Sequence, residues 1–299
     1  MSEHSGRAAD TSGAAAEALT GPRVHAYIAA GLADPGLIDT WTAAGGSGGT
    51  GRGGAIVDAI DLAALRRFAG FVTMVRQNPL RRVLPLTLRA LAEADLEIEV
   101  FADYAPHFTR LSRGGGLDLR RRLTAFAGFL DGWLAPDDPV HAVIRDALGH
   151  ELTVERLRHA EGRPFTAPAA AHPEAVPRLT GAQALRTARH HPRTLGESIE
   201  SGGSVTGVHP HRDGPTLLYW RDETTRRVLV TEVTPLAAHL LSLVDGHATV
   251  EDLARRLAAA TGEPCDAGRL SVALQEFTDL HLLTFAGAVP SPIGEPRCG

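Results

Sequence analysis

Apolar residues recur at helical spacing through the first half of the chain, whereas the second half mixes short β-branched runs with further helical stripes. Val24, Tyr27, Ile28 and Leu32 share one helical face, and after Asp34-Pro35 a second short helix carries Leu37, Ile38 and Trp41. Beyond a glycine run at 45–54, Asp61 is placed to cap a helix on which Leu62, Leu65, Phe68, Ala69 and Val72 align. Pro79 begins another, with Val83, Leu84, Leu88 and Leu91, in which Pro85 must make a kink or a first turn. Asp95 is placed to cap a third, ending near Pro106. After the glycines at 114–116, Leu117 to Leu134 and Val140 to about His159 complete the set. Short loops between such helices predict an all-α bundle over residues 21–160.

The second half predicts a different architecture. TLLYWRD at 216–222 and RRVLVTEV at 226–233 are two strands joined at Glu223-Thr224-Thr225. Thr234-Pro235 then caps a helix bearing Leu236, Leu240, Leu241 and Val244, which closes at Gly246. Thr249, with Asp252 three residues on, caps a second helix with Val250, Leu253 and Leu257, ended by Gly262. A third runs from about Asp266 to His281 with Leu270, Ala273, Leu274, Phe277 and Leu280 on its stripe, and Leu282 to Phe285 returns as a strand. Upstream, Ala184 to Ala188 reads as a strand and Pro192 to Glu200 as a helix. The fold class is therefore α+β: an N-terminal helical bundle, a Pro/Ala linker at 161–178, and a small winged-helix-like domain at 179–286. Residues 1–20 read as disordered and 287–299 as a tail.

Composition narrows the chemistry. All 30 basic residues are arginine, which reads as a high-GC genome, and the net charge of −5 argues against a surface built to coat nucleic acid. No apolar run reaches the roughly 18 residues of a membrane span, no signal peptide is visible at the start, and the expected address is cytoplasmic. Two cysteines are too few for a disulfide framework or a thiolate metal site. The glycine run lacks the lysine of a phosphate loop and reads as a flexible linker. His150-Glu151 would open a zinc-helix motif, but Val154 stands where the second histidine belongs. His190-His191 and the pair at 209 and 211 have no third ligand nearby. No nucleophile elbow or dinucleotide fingerprint is present, so neither a catalytic set, a metal site nor a cofactor of this chain is expected.

RVLVTEVTPLAAHLLSLVDGHATVEDLARRLAAATG, followed by LQEFTDLHLL, resembles the PqqD-like domain with which peptide natural-product pathways recognise leader peptides; the likeness covers about residues 205–286. AYIAAGLADPGLIDTW (26–41), the stretch 71–108 and RRLTAFAGFLDGWL (121–134) look like the helical domain of partner proteins of multinuclear non-haem iron-dependent oxidative enzymes, as in methanobactin biosynthesis. The glycine run departs from that family as an insertion. The resemblance implies a non-catalytic partner subunit that binds a precursor's leader and presents it to a separate TIM-barrel-type enzyme, which carries the iron.

A small sheet with an open edge can take up an extended peptide as a further strand. The expected edge is Arg227 to Val233, with Val228, Leu229, Val230, Thr231 and Val233 contacting the peptide. The resemblance implies a facing wall of Leu270, Leu274, Phe277 and Thr278 on the third helix. For docking the enzyme, the polar cluster Arg76, Asn78, Arg81 and Arg82, with Tyr104 and His107, is the candidate; carbonyl capping on a solvated helix face is its plainer reading. The alternative function is a winged-helix DNA-binding transcription regulator. Against it, the third helix carries one arginine beside Asp266, Glu276 and Asp279. A small enzyme acting alone is a further alternative, which a bound metal in the purified chain would favour.

Overall fold

A computed structural model of the protein describes residues 21–45, 56–113, 115–161, 171–210, 214–222 and 225–286. The expectations for residues 1–20, for the glycine run except its first residue, and for the tail lie outside these. The described residues mix helices with small antiparallel sheets, an α+β chain, and divide into two compact units. One is drawn from Met1–Leu148 and Gly196–Gly207, the other from Gly149–Leu195 and Val208–Gly299.

The first unit is helical. It contains α1 (Gly21–Ala33), α2 (Gly36–Gly45), α3 (Leu62–Arg76), a 3-10 turn (Asn78–Arg82), α4 (Pro85–Glu93), α5 (Glu97–Ser112), α6 (Leu119–Trp133) and the beginning of α7 (Pro139–Arg158). The Asp61 carboxylate accepts the Ala64 amide at 2.9 Å, as its position before the apolar stripe predicts. Phe68, placed on that stripe by periodicity, instead faces outward at 51% exposure. The two prolines divide the expected single helix at 79–91: Pro79 sits in the 3-10 turn, and Pro85, which has no N–H to lose, opens α4. Asp95 does not cap α5; it takes a left-handed φ of 57° and Leu96 stands at the cap position. Nor does α5 stop at Pro106. Phe101, Tyr104, Ala105 and Phe108 are all buried along it, and this burial outweighs the proline's cost of about 3 kcal/mol. Phe101 stacks on Phe126 of α6 at 5.1 Å, and Tyr104 meets the same ring edge-on at 5.2 Å.

The second unit holds the later part of α7, β1 (Val176–Leu179), β2 (Gln183–Thr187), β3 (Thr216–Arg221), β4 (Val228–Val233), α9 (Pro235–Leu243), α10 (Val250–Thr261), α11 (Ala267–Asp279) and β5 (Leu283–Ala286); α8 (Pro192–Glu200) spans the assignment of residues between units. β2, β3 and β4 form one antiparallel sheet in that order, and β1 pairs with β5 in another. Part of the expected linker is therefore core: Ala175 is 1% exposed and Val176–Leu179 is a strand. Composition hid this, because β1 draws its pairing from a segment about a hundred residues away. The expected hairpin, its capped helices and the β2 and β5 strands are present. The capping box at Thr249 and Asp252 is complete, and Gly262 ends α10 at φ 74°. Asp245 orders the turn before it, accepting the His247 and Ala248 amides and Arg256, which hold its carboxyl well below the usual range.

Two glycines separate packing from propensity. A Cβ on Gly70 would lie 2.8 Å from backbone atoms of Ala102 and Ile98, where α3 crosses α5, whereas nothing lies within 4 Å of one on Gly128 in α6. Gly70→Ala is expected to destabilise the protein by about 1–3 kcal/mol, and Gly128→Ala to stabilise it by about 0.5–1 kcal/mol. Urea denaturation of the two variants checks both signs.

Candidate peptide-binding edge

β3 reads Leu217-Leu218-Tyr219-Trp220, a continuous apolar run, because the sheet is covered on both faces. Val154 and Leu157 of α7 pack with Leu217, Tyr219 and Val228 on one face. Leu241 of α9, Leu282 and Phe277 of α11 pack with Leu218, Trp220 and Val233 on the other. β4 differs: Leu229 and Val230 are 40% and 37% exposed, and it stands at the sheet's edge.

The ladder fixes which β4 groups are spare. The Asp222 amide donates to the Arg227 carbonyl at 2.9 Å, and the Arg221 amide donates to Ala182 at 3.1 Å on the β2 side. Hydrogen-bonded pairs alternate along an antiparallel ladder, so Leu229, Thr231 and Val233 bond to β3. The amides and carbonyls of Val228, Val230 and Glu232 then point away from it, toward the open edge. Side chains alternate as well: Leu229 and Thr231 lie on the Phe277 face, Val230 and Glu232 on the α7 face.

The expected wall on α11 is smaller than the resemblance implied. Leu270, Leu274 and Thr278 are 4%, 0% and 2% exposed, and the two leucines belong to the core shared with α9, α10 and β5. They have no surface to offer. Phe277 alone of the four is partly exposed, touching both this core and the sheet cluster.

In the first unit, the docking cluster is only partly assembled. Arg81 pairs with Glu97, a carboxyl that burial pushes up against the lowering effect of this arginine. Arg76, Asn78 and Arg82 are exposed around the 3-10 turn, and the Arg76 carbonyl accepts from Arg122 at 3.2 Å. Tyr104 cannot be a docking residue: it is 1% exposed, its hydroxyl has no partner among the described residues, and burial raises its pKa to about 12. His107 is exposed beside Phe129 and Arg110, about 15 Å along α5 from Glu97.

A buried polar cluster escaped the sequence reading because its members are far apart in the chain. His150 Nδ1 lies 3.1 Å from the Tyr219 hydroxyl, and the Arg186 guanidinium lies over Gly149, where any Cβ would overlap it. Arg221, 3% exposed, donates to the carbonyls of Leu157, Arg158 and Ala160 at the end of α7. Glu151 and His190 are also buried and partnered. Among the described residues no three His, Cys, Asp or Glu side chains are grouped to hold a metal, and no helix is long and apolar enough to cross a membrane. No protein-family model matches the chain, and no curated protein matches it in sequence.

Burial, followed by the nearby Arg186 and His191, lowers the pKa of His150 to about 4. The unfolded chain takes up this proton near pH 6.5, before the folded one does. Stability is therefore full above pH 6.5 and falls as the pH drops toward 4, by up to about 3 kcal/mol from this group. His150→Asn should flatten that part of the curve in denaturation experiments between pH 7.5 and 4.5.

Proposed function

We propose that this chain is a non-catalytic partner subunit acting in the cytoplasm. Its second unit is a PqqD-like domain that captures the leader of a ribosomally made precursor peptide on β4. Its first unit docks a TIM-barrel-type non-haem iron oxidative enzyme, which holds the iron and modifies the peptide. The observation that carries the reading is the edge of β4. Three alternate positions, Val228, Val230 and Glu232, turn backbone groups away from the β3 ladder beside exposed Leu229 and Val230; among the described residues only the Glu232 carbonyl has a hydrogen-bond donor outside the sheet, the Thr231 hydroxyl at 3.5 Å. The strand contains no proline to blunt its edge, and its one charge is Glu232. The backbone groups would supply affinity, while pockets at alternate positions, with Phe277 on one face, would fix the register. The acidic residues of α11 and its single arginine give no support to DNA contact.

Neighbouring residues make the test. Proline at 230 removes an outward donor and puts a ring in the peptide's path, yet leaves the β3 ladder intact; proline at 231 breaks that ladder. Val230→Pro is expected to keep its circular dichroism spectrum and lose leader affinity at least about tenfold, or 1.4 kcal/mol, in fluorescence polarisation. Thr231→Pro is expected to unfold the second unit. Normal leader binding by a folded Val230→Pro protein would exclude this edge.

A further inference from the structure

The outward side of α3 carries an apolar stripe bordered by arginines. Ala64, Phe68, Phe71 and Val75 follow the spacing i, i+4, i+7, i+11, which places them on one stripe opposite the buried Leu65, Ala69 and Thr73. Phe68, Phe71 and Val75 are 51%, 45% and 54% exposed, and the two phenylalanine rings stack at 6.4 Å. Ile98, 43% exposed, belongs to the α5 turn that crosses α3 at Gly70. A helix with apolar residues on both faces normally has both covered.

Charge says what kind of surface fits. Arg67 lies one turn before Phe71, and Arg76 follows Val75; both are exposed and neither side chain has an ion-pair partner among the described residues. Arg66 is already held by Asp103 at 2.6 Å. Asp61, the acid at the start of the stripe, has its carboxylate on the Ala64 amide. A second copy of α3 would bring more arginines to these arginines, which opposes self-association.

We infer that the Phe68, Phe71 and Val75 stripe docks a protein partner that presents an apolar helical ridge flanked by carboxylates. The surface is read from exposure and charge alone. Only the partner's identity, the iron enzyme, rests on the proposed function. This also moves the docking surface from the polar turn at 78–82 onto the helix before it, with Arg76 shared by both.

The test uses two designed, fluorescein-labelled helical peptides with the same leucine ridge, one flanked by glutamates and the other by lysines, and the full-length protein. The glutamate peptide is expected to bind at least tenfold more tightly than the lysine peptide in fluorescence polarisation. Phe71→Glu should abolish its binding, and Arg67→Glu should weaken it about tenfold, with both variants keeping the wild-type unfolding curve because the residues are exposed. Equal binding of the two peptides, or binding of neither, would overturn the inference. So would concentration-dependent dimerisation in sedimentation that Phe71→Glu removes, since a second copy would then be the occupant. The leader assay with Val230→Pro is separate, so the strand reading and this one fail independently.

Discussion

Coverage of β3 on both faces is the constraint on which the second unit depends. Leu217 and Tyr219 face α7, and Leu218 and Trp220 face α9 and α11, so no face of the central strand is left to water. Such a strand must pair on both edges, because its buried amides and carbonyls have no other partners. β2 and β4 supply that pairing, and each thereby becomes an edge of the three-stranded sheet. The exposed rim of β4 is a consequence of how the core is filled. A rim held straight by a ladder along one side, with side chains anchored at Val228 and Val233, is pre-ordered for pairing, which lowers the entropy lost when a further strand is added.

The same two-sided burial forces polar groups inward on the α7 face, where they find partners. Arg221 ends β3 on the α7 face, where its guanidinium would be costly unpaired; the last carbonyls of α7, which have no helical donors of their own, accept from it. One side chain thus satisfies a helix end while the helix end solvates a buried charge. His150 meets Tyr219 on the same face but stays neutral, because Arg186 and His191 nearby add to the cost of a buried imidazolium. Gly149 is intelligible in these terms: a mid-helix glycine costs about 1 kcal/mol relative to alanine, and it makes room for Arg186.

Local signals were legible in the sequence where local chemistry decides the structure. The Asp61 cap, the Thr249 and Asp252 capping box, the left-handed Gly262 and the 216–233 hairpin each depend on residues close in the chain. What was not legible depended on partners far away. β1 was hidden in a proline-rich segment because its reason for existing is β5, and the His150 cluster joins residues up to 69 positions apart. Periodicity also cannot tell which of two apolar stripes on one helix is buried. α3 carries two, and Phe68 was assigned to the wrong one. On α11, Leu270 and Leu274 were read both as a buried stripe and, with Thr278, as part of a peptide wall, and the core takes all three.

The two exposed surfaces differ in what they can recognise. The β4 rim offers backbone groups, which any extended segment can satisfy, so its discrimination must come from the few side chains beside it: Leu229 and Phe277 on one face, Val230 and Glu232 on the other. The α3 stripe offers no backbone at all, since its amides and carbonyls are consumed within the helix. On the proposed reading its selectivity would come from shape and from two flanking arginines, which suits a partner already folded. A flexible peptide would satisfy the first surface and lose more entropy on the second, where a partner with a preformed helix avoids that loss. That division of chemistry suits the proposed role, in which one subunit holds an unfolded substrate and a folded enzyme at once.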